Sequence, residues 1–193
     1  MILIFLGPPG AGKGTQAKYI ADKLNLPHLS TGEILRQEQL RKTKISKEIK
    51  SIIDTGRLVS DQILNSIVSE RIELDDCNKG FILDGYPRTM NQAIYLNDFL
   101  EKKNLIVNLI LNLTIDEGTI IKRIKKRSKI EKREDDSEQV IKTRIFKYYD
   151  ETSPLSEFYS KKYSSNFLNI DGNMEISDLN QKLLKIIENH AIS

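Results

Sequence analysis

Four of the chain's ten glycines fall within eight residues near its start, in the run Gly7-Pro8-Pro9-Gly10-Ala11-Gly12-Lys13-Gly14-Thr15. At an average glycine usage of about 7%, four glycines at set positions have odds on the order of 10⁻⁵ per window, so chance does not account for them. Glycine accepts positive φ and allows close backbone approach. Successive N–H groups can then converge on phosphate oxygens while the following helix offers its positive N-terminus. A plain strand-to-helix turn needs one or two glycines and no lysine. Lys13 is placed to reach terminal phosphates, and Thr15 to offer a hydroxyl near Mg²⁺. The general phosphate-loop pattern puts Ser or Thr directly after the lysine; here Gly14 intervenes.

The rest of the chain alternates in a way that suits such a loop. Residues 2–6 form a fully apolar run that reads as a buried strand, and residues 13–24 have helical spacing through Ala17, Ile20, Ala21 and Leu24. The same order returns with 80–83 before 91–100, with 105–113 before 116–124, and with 166–170 before 176–187. Buried strands alternating with helices imply parallel pairing, because parallel strands need crossovers that helices supply. Two stretches break the rhythm: residues 30–59 read as helical and polar with no strand of their own, and residues 122–137 are charge-dense between two helices.

Composition narrows the function. At 193 residues the chain fits one domain. Its longest apolar runs are too short to span a bilayer. Cys77 is the single cysteine, which excludes a disulfide framework and a cysteine zinc site within one chain. His28 and His190 are the only histidines and read as structural or surface residues. The apolar run at the start stops at Gly7, shorter than a signal-peptide core, so a reducing, cytoplasmic setting is expected. The net charge of +3 says little as a sum. Its distribution says more: residues 122–133 carry a net +7 and the remainder of the chain −4. Of nine arginines against 21 lysines, five are Arg88, Arg123, Arg127, Arg133 and Arg144. Planar guanidinium groups grip phosphate oxygens bidentately where lysine cannot. The lysines of the basic stretch read as solvated, and no aromatic residue stands among them, which argues against a nucleic-acid-binding module.

The form G-x-P-G-x-G-K-G-T resembles the nucleoside monophosphate kinases and, within them, the adenylate kinases. The resemblance continues through Ser30-Thr31-Gly32-Glu33-Ile34-Leu35-Arg36 and Asp84-Gly85-Tyr86-Pro87-Arg88-Thr89-Met90-Asn91-Gln92-Ala93. It then runs through Arg123, Arg127, Arg133, Asp135, Asp136 and Arg144 to Asp171-Gly172, and so covers nearly the whole chain. Ser30 with Glu33 also reads as a capping box at a helix start. The resemblance implies an α/β P-loop fold of three layers. A central parallel sheet of about five strands is flanked by helices, with a helical AMP-binding insertion and a short lid.

The implied division is a core of 1–29, 60–121 and 138–193, an AMP-binding segment of 30–59 and a lid of 122–137. The implied catalytic residues are Lys13, Arg88, Arg123, Arg133 and Arg144. ATP would be held by Gly10, Ala11, Gly12, Lys13, Gly14, Thr15, Arg123, Arg127, Gly172 and Met174. AMP would be held by Thr31, Arg36, Arg57, Leu58, Val59, Gly85, Tyr86, Pro87, Arg88, Gln92, Arg133 and Arg144. Asp84, ending an apolar run where an α/β sheet presents its ligand edge, would hold the water shell of Mg²⁺ together with Thr15. No residue is expected to ligate the metal directly, and no zinc is expected, because only residues 128–132 separate Arg127 from Arg133. The implied reaction is Mg-dependent transfer from ATP to AMP giving two ADP, by a monomer with no nucleic-acid or membrane partner.

Rival readings are a UMP/CMP kinase of the same fold and a regulatory nucleotide switch. Relatives of the first kind tend to have Ala at position 31 and an Asn-x-x-Asn motif at 89–92, where this chain has Thr31 and Gln92. The second would need D-x-x-G after the loop and N-K-x-D, and neither occurs.

Overall fold

The computed structural model describes residues 1–40, 44–131 and 137–191. Its centre is a parallel sheet of β1 (Ile2–Leu6), β2 (His28–Ser30), β3 (Phe81–Asp84), β4 (Leu109–Thr114) and β5 (Phe167–Asp171), in the order β2-β3-β1-β4-β5. Every pair is parallel, with Ile4 opposite Leu83 on one side and Ile110 on the other. β1 is apolar end to end, and β3 and β4 are largely apolar, because both faces of the sheet are covered. Side chains alternate along β1: Ile2, Ile4 and Leu6 pack toward α4 (Asp61–Ile72), α5 (Met90–Lys102) and α8 (Pro154–Lys162). Leu3 and Phe5 pack toward α1 (Lys13–Leu24) and α9 (Ile176–Ala191). This is the three-layer α/β fold expected from the alternation, with each buried Leu or Ile worth roughly 2 kcal/mol.

Four strands and the helices that follow them stand where the sequence pattern puts them, with shifted ends. Gly80 lies outside β3 because its φ of +119° does not fit a strand, whereas Asp84 is inside, paired with Phe5. β4 starts at Leu109 and not at 105; Leu105 turns back to donate to the Leu100 carbonyl, and Ile106 is exposed to solvent. The sequence pattern does not predict β2, and Ser30, expected to open a helical stretch with no strand, is the last residue of that strand. Three residues with polar ends are too short for any period to register. They become a strand only through register with β3, His28 opposite Ile82 and Ser30 opposite Asp84.

Beyond β2 the chain forms α2 (Thr31–Leu40) and α3 (Lys44–Ile53), which pack on each other. The first ten residues of the charge-dense stretch continue α6 (Glu117–Glu131), and Ser137 stands at the N-cap of α7 (Glu138–Lys147). A π-helical turn at Tyr148–Thr152 leads into α8, with Pro154 at its first turn. Among the described residues no helix is long and apolar enough to cross a membrane.

Candidate active site

The glycine run joins the carboxyl end of β1 to the N-terminus of α1. Gly7, Gly10 and Gly12 all have positive φ. At Gly7 the reason is close packing: its φ is +133°, and a Cβ would collide with the Leu113 carbonyl oxygen of β4. Gly7→Ala is therefore expected to cost about 2–3 kcal/mol from strain and overlap together, read as a lower urea midpoint with unchanged m-value. Gly12 is a different case. It is the N-cap of α1 at φ +90°, and nothing lies within 4 Å of where its Cβ would be. The space above the helix N-terminus is thus left clear for an anion.

Lys13 follows, and its ammonium curls under the loop to donate to the Gly7 and Pro8 carbonyls at 2.7 and 2.8 Å. Burial pushes its pKa down to about 8; Asp84 pulls the other way, and Arg88 and Arg127 add to the depression. Three further charged groups thus converge on one lysine.

Asp84 ends β3 beside Phe5 of β1, 8% exposed. Its Oδ2 is 3.3 Å from the position a Cβ on Gly14 would take, so the carboxylate faces the first turn of α1, where Thr15 stands. Burial alone would push the Asp84 carboxyl up; a hydrogen bond from His28 and the charges of Lys13, His28 and Arg88 outweigh it and hold the pKa below the usual range. His28 Nε2 lies 3.3 Å from Oδ2, and facing a carboxylate it must be the donor. His28 reaches Asp84 because β2 pairs with β3, a contact between residues 56 positions apart that no local pattern encodes.

Arg88 sits on the loop between β3 and α5, after a cis Tyr86–Pro87 peptide. Its Nε donates to the Gly85 carbonyl at 2.7 Å, and Thr31 Oγ1 donates to the same oxygen at 2.8 Å. Its backbone is held independently: Arg88 N–H donates to Gln92 Oε1 at 2.8 Å and its carbonyl accepts from Thr152 Oγ1 at 2.8 Å. On the far side, Arg123 of α6 donates to the carbonyls of Gly172 and Met174, closing α6 onto the turn after β5.

Lys13, Thr31, Asp84, Arg88 and Arg123 line one cleft of about 1050 Å³. Of the residues singled out from sequence, Gly10 through Thr15, Arg123, Arg127 and Met174 line it, as do Thr31, Arg36, Arg57, Leu58, Val59, Asp84, Gly85, Pro87, Arg88 and Arg144. Gly172, Tyr86 and Gln92 are not on its wall. Gly172 meets Arg123 through its carbonyl, Tyr86 is buried with its hydroxyl on Asn65, and Gln92 is buried behind the Arg88 backbone. Arg133 lies outside the described residues. The cleft also takes in Lys122 and Lys126, spaced to share a face with Arg123 and Arg127, and Lys147, Tyr148 and Thr152 near the π-helical turn. Leu35, Ile53 and Leu64 give one end an apolar wall.

The donor set around Thr15 and Asp84, one hydroxyl and one carboxylate, is made of hard oxygens and suits a Mg²⁺ ion that keeps its waters. Among the described residues no group of three or more His, Cys, Asp or Glu could hold a metal. Such an ion would therefore be carried largely by phosphate oxygens.

A glycine-rich loop ending on a clear helix N-terminus, at the carboxyl edge of a parallel sheet, defines a P-loop nucleotide-binding protein. The family model described as "Adenylate kinase" matches residues 5–164. The adenylate kinase of Sinorhizobium medicae (strain WSM419) is 42% identical over 193 residues, covering 97% of this chain and 100% of the relative. That of Agrobacterium fabrum (strain C58) is 44% identical over 194 residues, covering 97% and 98%, and that of Bartonella henselae is 40% identical, covering 97% and 100%. The chain belongs to the adenylate kinase family, and so to the nucleoside monophosphate kinases, which are phosphotransferases.

Proposed function

We propose that the protein transfers the terminal phosphoryl group of MgATP to AMP, reversibly, giving two ADP. The observation that carries this reading is a single cleft lined by the phosphate loop, Arg123, Arg127 and Met174 as well as by Thr31, Arg36, Arg57 to Val59 and Arg144, with Lys13, Asp84 and Arg88 also on its wall. Phosphoryl transfer asks for in-line placement of donor and acceptor and for cations around the developing charge, with little covalent work by the protein.

In this reading the backbone from Gly10 to Thr15 cradles the ATP phosphates, and Lys13 leaves the loop carbonyls to reach the transferred group. Arg123 and Arg127 hold the donor from the α6 side, with the adenine against the turn at Gly172 and Met174. Thr15 and Asp84 would hold Mg²⁺ through its waters, and the ion would supply charge neutralisation at the phosphates. Arg88, with Arg144, grips the AMP phosphate and the group in flight. Thr31 and Arg36 of α2 and the backbone of Arg57 to Val59 enclose the nucleoside, with Gly85, Tyr86 and Pro87 shaping the loop beneath. Gln92, buried behind the Arg88 backbone, is assigned to the acceptor base by resemblance. An ionised phosphate is already a nucleophile, so no general base is needed. The 122–137 segment acts as a short lid that excludes water, since water at the transferred group would be phosphorylated in place of AMP. Arg133, on the same segment, is assigned to the cations of that closed state by resemblance. Monomeric action in the cytoplasm belongs to the same proposal, and the lone, buried Cys77 is in keeping with a reducing setting.

The test is an acceptor series: ADP formation from MgATP with AMP, CMP, UMP and GMP. AMP is expected to be turned over fastest, and the reaction to stop on chelation of Mg²⁺. Turnover of CMP or UMP above AMP would sink the assignment.

A further inference from the structure

Gln92 lies on the first turn of α5, and its side-chain amide is fully buried with both ends engaged. Its Nε2 donates to Asp61 Oδ1 at 2.7 Å, and its Oε1 accepts the Arg88 backbone N–H at 2.8 Å. Asp61 opens α4, 31 residues earlier in the chain. The same Oδ1 accepts from Thr89 Oγ1 at 3.0 Å. Thr89 Oγ1 in turn accepts the Gln92 backbone N–H at 3.1 Å, as the N-cap of α5. The carboxylate of Asp61 thus joins the starts of two helices around one amide.

A carboxamide has two N–H donors and two oxygen lone pairs. One donor goes to Asp61 and one lone pair to Arg88, which leaves one donor and one acceptor. Turning the amide over would set Nε2 against a backbone N–H and Oε1 against a carboxylate. Both neighbours oppose the flip, and the charged one opposes it more strongly. The polarity of what remains is therefore decided by Asp61.

That polarity sorts the four common bases into two pairs. Adenine and cytosine carry an amino donor beside a ring-nitrogen acceptor on their pairing edge, whereas guanine and uracil carry a carbonyl acceptor beside a ring N–H. An amide held one way round complements one pair and sets like against like with the other, and a site built on hydrogen bonds rejects such mismatches strongly.

We propose that Asp61 is a positioning residue that fixes the hydrogen-bonding polarity of Gln92 and so makes the acceptor site select amino-bearing over oxo-bearing bases. This rests on the reading of Gln92 as the residue that meets the acceptor base. Asp61 itself touches no substrate.

The experiment measures kcat and KM with AMP, GMP, CMP and UMP at saturating MgATP, in the parent protein and in Asp61→Ala, Asp61→Ser, Asp61→Asn and Gln92→Ala. Asp61→Ala is expected to lower the ratio of kcat/KM for AMP over GMP by about tenfold, the worth of one lost hydrogen bond to a charged partner. The change should appear as a higher KM for AMP with kcat near the parent's. Asp61→Ser, too short to reach Gln92 but favoured at a helix start, should behave alike and stands in if the alanine variant folds poorly. Asp61→Asn keeps an accepting Oδ1 and should restore most of the ratio. If Asp61→Ala and Asp61→Ser weaken all four acceptors equally, or leave the ratio unchanged while Gln92→Ala lowers it, the role given to Asp61 is overturned and the reading of Gln92 stands. An unchanged ratio in Gln92→Ala removes that reading and this proposal with it.

Discussion

A Lys13→Met variant is expected to fold normally and to lose on the order of 10³ in kcat, with KM for either nucleotide changed far less. The fold should survive because the lost side chain is replaced by an unbranched apolar one of similar length in a buried place. The two hydrogen bonds given up, to the Gly7 and Pro8 carbonyls, are offset by removing a buried charge whose pKa burial has already pushed down to about 8. Catalysis should not survive, because a cation beside the transferred group acts on charge that develops in the transition state, which ground-state binding by the loop backbone does not replace. The measurement is kcat with both nucleotides saturating, alongside the thermal midpoint. A kcat within tenfold of the parent's, with the fold intact, would remove Lys13 from the mechanism.

Arg88→Ala should also cost on the order of 10³ in kcat, and Arg88→Lys should recover little of it. The loop is built so that the two effects separate. Residue 88 is anchored through its backbone, by Gln92 Oε1 on the N–H and Thr152 Oγ1 on the carbonyl, and neither bond needs the arginine side chain. The side chain is aimed by its own Nε on the Gly85 carbonyl, and a planar guanidinium held in that direction suits a bidentate phosphate contact. A lysine has no fixed fork to aim. A loss confined to KM for the acceptor, with kcat retained, would make Arg88 a binding residue only.

The phosphate loop was legible from its residues alone, because glycines, a lysine and a helix start act through local backbone geometry and need no distant partner. The strands followed by helices were legible for a similar reason: a sheet covered on both faces demands unbroken apolar runs, as at Ile2 to Leu6. The arginines stood out by type against a lysine-rich background. What was not legible depends on pairing across the chain. His28 beside Asp84, Asp61 beside Gln92, and the carbonyls of Gly172 and Met174 beside Arg123 join residues 56, 31 and about 50 positions apart.

The sequence by itself determined the alternating α/β order, the phosphate-binding loop and the cationic side chains a polyphosphate needs. Only the tertiary structure decided that three residues between α1 and α2 become the edge strand β2, that this strand brings His28 to Asp84, and that Gln92 lies buried behind the cleft with its amide held by Asp61. The division has a physical reason. Periodicity and turn chemistry are properties of neighbours along the chain, whereas strand register and the partners of a buried polar group are settled by elements far apart in sequence that meet only when the sheet and its two helical layers close.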